Sequence, residues 1–270
     1  MKICLISNDA TYGNCAALAE GLREFAEVDV MFFQKCPKGM DQQTAHRINR
    51  TPPMGYDHYI IVAAITLMNL PRWVLSQRCT IILTDTTYLK HHAPINSMIK
   101  GHNVWAMPDL AHLARTDNIY YQPFILPDVE TTKTKLICHS PYHVTKLKQK
   151  GSDVIIDTCR ELGLPLTVII GQSWEDTVKE KARHMFCIDQ IYQGLGKSGL
   201  EAMLLKCITI SGIRPLSPHP PIVWTSKETL KRDIEALMEA DTEAVQSEQY
   251  RWAEMNLSPG VMARKIVDSI

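Results

Sequence analysis

The residues with the clearest capacity for chemistry lie in Gln193-Gly-Leu-Gly-Lys-Ser-Gly-Leu-Glu201-Ala-Met203, which runs on towards the β-like segment Cys207-Ile-Thr-Ile-Ser211. A glycine-rich turn exposes backbone amides. Where it opens a helix, those amides meet the positive end of the helix dipole, and the result attracts anions such as phosphate. Glu201, on the helix, adds a carboxylate able to accept hydrogen bonds from sugar hydroxyls. Phosphate and hydroxyl recognition side by side point to a nucleotide-linked sugar.

Other readings of these residues fit less well. Gly194, Gly196 and Gly199 satisfy G-x-G-x-x-G, but that fingerprint belongs on the first strand-to-helix turn of a βαβ unit, with an acid about 20 residues on. Here it lies deep in the chain, and no Asp or Glu occurs between Glu201 and Glu228. Gly196-Lys197-Ser198 resembles the end of a P-loop, whose first glycine would fall at Ile191. The plainest alternative is a well-capped helix behind a glycine turn that binds nothing.

The chain around this motif has 270 residues, enough for two modest domains, and a globular composition (45% hydrophobic, 21% charged). Its formal net charge is zero, and acids balance bases on both sides of Lys133. No basic stripe of the kind that binds nucleic acid without regard to sequence is visible. No apolar run reaches the ~18 residues of a membrane span. The first residues, Met1–Ser7, read as a strand and not as a leader. The eight cysteines are scattered, with no C-x-x-C pair. They read as reduced core residues of a cytoplasmic protein, with neither a disulfide framework nor a metal site.

Strand-like and helix-like segments alternate, which predicts an α/β fold with parallel sheets. In the first half, strands are expected at Lys2–Ser7, Val28–Phe33, Tyr59–Ala64, Thr80–Thr84, Asn103–Met107 and Ile119–Gln122. A helix over Cys15–Phe25 carries Leu18, Leu22 and Phe25 on one stripe. Phe124–Lys135, with Pro127 and a polar cluster, is the best linker. The pattern then restarts: strand Leu136–His139, basic loop Tyr142–Lys150, helix Ser152–Leu162, strand Leu166–Ile170, helix Trp174–Arg183 and strand Met185–Ile188. After the glycine turn come Cys207–Ser211, a Pro-rich loop, Val223–Thr225, and helices at Thr229–Glu239, Glu243–Leu257 and Pro259–Ile270. Two successive Rossmann-like domains result, 1–130 and 131–250, with a terminal helical segment, 251–270.

At this point the second half resembles the retaining glycosyltransferases of the two-Rossmann-domain (GT-B) type. Lys150-Gly151, after a strand and a basic loop, carries part of the likeness. The glycine turn carries the rest. The family signature there is an acid, seven residues, a second acid and Ala-Met; this chain has Gln193-x7-Glu201-Ala202-Met203. Tyr12-Gly13-Asn14 is a looser match to the family's N-terminal glycine loop. The likeness is firm over about Leu136–Ser211 and topological in the first half, and the chain's length implies a trimmed N-terminal domain.

The resemblance implies a metal-independent transfer of sugar from a nucleoside diphosphate, such as a UDP-sugar, to a hydroxyl, with no cofactor beyond the donor. Negative charge growing on the leaving phosphate calls for fixed positive groups. Lys150 would supply one, Lys146 or Lys148 a second, and the amides of Lys197, Ser198 and Gly199 behind Gly196 a third. Glu201 would hold the donor's ribose and Gln193 a hydroxyl of the transferred sugar, although Gln lacks the charge of Glu. Gly13 and Asn14, at the first βα turn, would line the cleft between the domains. Asp85 and the loop Thr86–His92, with His91 and His92, would stand on the acceptor side, since ligands collect at the carboxyl ends of parallel strands. The acceptor is left open among glycan, small molecule, protein and modified DNA base, and so is the oligomeric state; no integral membrane contact is implied. A silent nucleotide-sugar-binding protein and a nucleotide-sugar epimerase remain as alternatives.

Overall fold

The computed structural model describes residues 1–7, 14–32, 45–47, 52–84, 86–108, 110–142, 144–213 and 219–270. The chain divides into two compact units, Met1–Ile125 with Asn256–Ile270, and Leu126–Met255.

The first unit opens with β1 (Lys2–Ser7), α1 (Asn14–Arg23), β2 (Glu27–Phe32), β3 (Ala45–Arg47), β4 (His58–Val62) and α2 (Ala64–Asn69). It continues through β5 (Cys79–Leu83), α3 (Thr86–Ile99), β6 (Asn103–Ala106) and α4 (Ala111–Ala114). Its described strands form a parallel six-stranded sheet in the order β3-β2-β1-β4-β5-β6. That order reverses direction at β1/β4, as in dinucleotide-binding folds. β4 and β5 are buried at every position, which is why they read as unbroken apolar runs.

Two expectations change here, and one strand was not expected. Thr86–His92 is helix, not loop: α3 runs on to Ile99, with buried Tyr88, Ile95 and Ile99. Pro94 inside α3 cannot donate to the carbonyl four residues back and crowds it. The helix responds with a kink at His91, whose φ and ψ are −127° and 26°. Ile119–Gln122 makes only an isolated bridge, Ala106 to Ile119. The short edge strand β3 has no apolar run to announce it.

The second unit contains β7 (Lys135–Tyr142), α5 (Leu147–Lys150), α6 (Ser152–Glu161), β8 (Leu166–Ile170), α7 (Trp174–Ala182), β9 (His184–Ile188) and α8 (Lys197–Leu204). It closes with β10 (Ile208–Ser211), β11 (Val223–Trp224), α9 (Leu230–Glu239) and most of α10 (Thr242–Leu257). Its described strands form a parallel sheet in the order β11-β10-β9-β7-β8, with the reversal at β7/β9. Strand alternation splits the core between the two faces. Ile137, Phe186, Ile188 and Ile208 meet Ile155 of α6 and Ile234 of α9. Cys138, Cys187 and Cys207 meet Val178 of α7 and Ala202 of α8. The seven described cysteines are buried.

The terminal helix α11 (Pro259–Val267) belongs to the first unit. Ser258 caps it, and Met262, Ala263 and Ile266 are buried. It crosses α1 at Gly21, where an added Cβ would lie 2.2 Å from the Pro259 carbonyl oxygen, so no larger residue fits that crossing. Among the described residues, no helix is long and apolar enough to cross a membrane.

Candidate functional site

The reversal at β7/β9 places the carboxyl ends of these strands at the centre of the second unit, the usual ligand position in such sheets. Asp189 follows β9 directly and is fully buried. One carboxylate oxygen lies 3.3 Å from Lys150 Nζ; the other accepts the Gly196 amide at 2.6 Å. A single carboxylate thereby ties the basic segment to the glycine turn. Lys150 ends α5 with its side chain 15% exposed, and its carbonyl accepts the Ile191 amide at 2.8 Å. Gly151 is required twice over. Its φ is +72°, and a Cβ there would stand 3.0 Å from Ile191 Cβ and 3.3 Å from the Tyr192 ring.

Neighbouring contacts hold these strand ends. The Gln190 side-chain amide donates to the Gly194 carbonyl, and the Gln190 carbonyl accepts the Gly212 amide at 2.6 Å. His139 of β7 is buried between β9 and α6. Its Nδ1 donates to the Ile188 carbonyl at 2.8 Å, so its Nε2 accepts from Ser152 Oγ at 2.7 Å. Burial pushes the His139 pKa down to about 4, so the imidazole is neutral near pH 7.

Helix α8 starts behind Gly196. Of the three amides expected to face an anion, that of Gly199 is committed to the Gly196 carbonyl at 3.1 Å; those of Lys197 and Ser198 occupy the first two helical positions, where the helix supplies no carbonyl partner. Glu201 is 4% exposed. Its Oε1 accepts Trp174 Nε1 at 2.9 Å and lies 3.7 Å from Lys197 Nζ; its Oε2 accepts Lys181 Nζ at 3.0 Å. Lys181 is fully buried and donates also to the carbonyl and hydroxyl oxygens of Ser198, at 3.2 and 3.0 Å. Burial alone would lower the Lys181 pKa, but Glu201 beside it holds it above its ordinary value. Burial likewise opposes the charged form of Glu201, and Lys181 and Lys197 outweigh it, holding the carboxyl below the usual range.

The structure therefore gathers Lys150, Gly196, Lys197, Ser198, Gly199 and Glu201 at one edge of the second unit. Gln193 is exposed on the glycine turn, and Lys148 is exposed on α5. The Lys146 and Asn14 side chains, Gly13 and Asp85 lie outside the described residues. His91 and His92 are exposed on α3, beyond its first turn, and not in a strand-end loop. Four groups escaped the sequence reading: Asp189, Lys181, His139 and Ser152. Asp189 had a signal, being the first acid after the apolar run Met185–Ile188. Among the described residues, no group of three His, Cys, Asp or Glu could hold a metal ion.

No protein-family model and no curated protein sequence matches this chain. Solved structures do. Anabaena Alr3699/HepE, in complex with UDP and glucose, aligns with a TM-score of 0.69 at 13% identity, over 100% of this chain and 99% of that one. The fold is GT-B. A glycosyltransferase from Rickettsia africae aligns with a TM-score of 0.68 at 12% identity, over 99% and 97% of the two chains. The UDP-GlcNAc 2-epimerase of Methanocaldococcus jannaschii, in complex with UDP-GlcNAc and UDP, reaches 0.55 at 10% identity, over 100% and 99%. A fold common to transferases and an epimerase leaves the reaction to be argued from the residues.

Proposed function

We propose that this protein is a glycosyltransferase that takes a sugar from a nucleoside-diphosphate donor and passes it to a hydroxyl acceptor, with retention of configuration and without a bound metal. The observation that carries this reading is the Lys150–Asp189–Gly196 linkage at the β7/β9 reversal. It sets an ammonium beside a glycine turn that opens a helix. As the glycosidic bond breaks, charge grows on the β-phosphate of the leaving nucleoside diphosphate. Lys150 and the start of α8 are fixed before the reaction, so they stabilise that charge without reorganising. Lys197, partly exposed on the first turn of α8, adds a second cation. Gln193, exposed on the turn, would meet a hydroxyl of the transferred sugar.

A thermal-shift panel with UDP, GDP, ADP, their sugar conjugates and NAD tests the donor site. A ligand at 100 times its Kd adds ~2.7 kcal/mol to the native state, several degrees for a unit of this size. A selective rise with one nucleoside diphosphate is expected, followed by sugar transfer that persists in a chelator. No rise with any nucleotide, or a rise with NAD alone, overturns the reading. The fold's use by a UDP-GlcNAc 2-epimerase supports a second reading. Interconversion of a nucleotide sugar with no acceptor present would select it.

A further inference from the structure

Glu201 stands where the resemblance places a ribose ligand, yet its surroundings do not suit that task. Both oxygens already accept strong donors, one an indole N–H and the other an ammonium, and the side chain is only 5% exposed. Each oxygen keeps a lone pair, but at 5% exposure a ribose hydroxyl could reach it only if the Trp174 ring moved aside or the carboxylate swung outward. Swinging outward would leave Lys181, a fully buried ammonium, without its counter-charge.

The partners also share a common origin. Trp174, Val178 and Lys181 fall at i, i+4 and i+7 on α7, one face of that helix. Val178 is buried, and Trp174 and Lys181 reach the same carboxylate on α8. Lys181 also grips the carbonyl and hydroxyl oxygens of Ser198. One face of α7 is thus strapped to the opening turn of α8. Trp174 keeps 41% of its surface exposed, and Lys197 Nζ lies 5.9 Å from the centre of its ring. The strap is buried, while the groups it orients reach solvent.

We propose that Lys181 and Glu201 form a buried positioning pair: Lys181 fixes Ser198 at the start of α8, Glu201 fixes the Trp174 indole beside it, and neither touches the donor. This rests on the donor-site reading above. It assigns the second acid of the Gln193-x7-Glu201 motif to the frame of the site and leaves contact with the donor to the exposed groups around it.

The test compares Lys181→Met, Glu201→Gln and the double variant in the full chain. The ligands are UDP, GDP and ADP and, for the tightest binder, its 2′-deoxy analogue. Each single variant leaves one buried charge unpaired and is expected to lower Tm and to weaken nucleoside-diphosphate binding about tenfold, because misplaced binding groups are costly. The double variant removes both charges. It is expected to recover Tm above either single variant, a coupling that independent sites do not show. It is also expected to recover binding to within about threefold of wild type and to keep the wild-type ratio of deoxy to ribo affinity. Loss of that ratio in both Glu201→Gln proteins would show that the carboxylate holds the ribose, and would overturn the proposal. A double variant no more stable than the worse single would overturn the pairing. If the wild-type protein binds none of the three nucleotides, the donor reading falls, and the pair is judged on the stability cycle alone.

Discussion

The two units differ in whether they bury charge. In the first, the described ion pairs Lys2–Glu27, Lys2–Asp29 and Glu20–Arg23 all keep both partners at least partly exposed. The two Lys2 pairs stand at the amino ends of β1 and β2, away from the ligand edge of the sheet. Such pairs contribute little, ~0–1 kcal/mol each. The second unit has exposed pairs too, such as Asp157–Arg160 and Glu161–Lys231, but Lys150–Asp189 and Lys181–Glu201 are largely buried and gather at the carboxyl edge. Of the buried polar atoms with no partner among the described residues, all but His184 Nε2 lie in the first unit, including Thr66 Oγ1, Thr84 Oγ1, Tyr120 Oη and Gln122 Nε2. A buried charge network persists only where its members satisfy one another. The second unit is therefore built to hold fixed charges in register, while the first keeps unused hydrogen-bonding capacity.

The contrast breaks most sharply at Asp189. Asp189→Ala removes the acceptor of the Gly196 amide and strands Lys150. Breaking a buried pair costs ~3–5 kcal/mol, and the partial exposure of Lys150 puts this case near ~3–4. Denaturant unfolding should show the loss in the second unit only; a change below ~1 kcal/mol would mean that the network does not hold that unit together. Acid is the next strongest probe. His139 in the second unit and His58 in the first both have pKa values lowered to about 4 by burial, from an ordinary 6.5. Between pH 6.5 and 4 the unfolded chain takes up protons that the native imidazoles refuse. The stability from each histidine is complete above pH 6.5 and is lost as pH falls through that window, by about 3 kcal/mol per histidine. His139→Gln should flatten the acid response of the second unit and leave that of the first, as read by hydrogen exchange at pH 7 and pH 4.5.

Lys150→Ala tests function at the same edge. Loss of one preorganised cation should lower turnover by ~10²-fold, or about 2.7 kcal/mol. Near-normal turnover would remove Lys150 from the reaction. The glycine turn was legible because its glycine spacing marks backbone geometry directly, whereas Lys150 stood out only through the resemblance, by its place before Gly151. Most strands were legible too, since strands buried on both faces show as apolar runs; Lys2–Ser7, buried from Ile3 onward, has the same bounds in sequence and structure. α3 was hidden by His91, His92 and Pro94, which imitate a loop until tertiary packing of Tyr88 and Ile95 outweighs the kink. The burial of Lys181 was hidden for another reason. Trp-Glu-Asp-Thr-Val-Lys-Glu-Lys-Ala reads as a solvated helix, and only the spacing from Trp174 and Val178 separates the inward Lys181 from Lys179.

The smallest expected effect tests the first unit's side of the contrast. Thr66 sits on the opening turn of α2, at the carboxyl end of β4, fully buried with its hydroxyl unpartnered among the described residues. A buried hydroxyl without a partner costs ~1–3 kcal/mol in desolvation. Thr66→Val keeps the branched shape and removes the oxygen, so stability should hold or rise by up to ~1 kcal/mol. A loss greater than that would show that the hydroxyl has a partner in solution, and the contrast between the units would shrink. Unchanged stability with a raised KM for the acceptor alone would sharpen it: the hydrogen-bonding capacity that the first unit leaves unused in its own fold would then serve the second substrate.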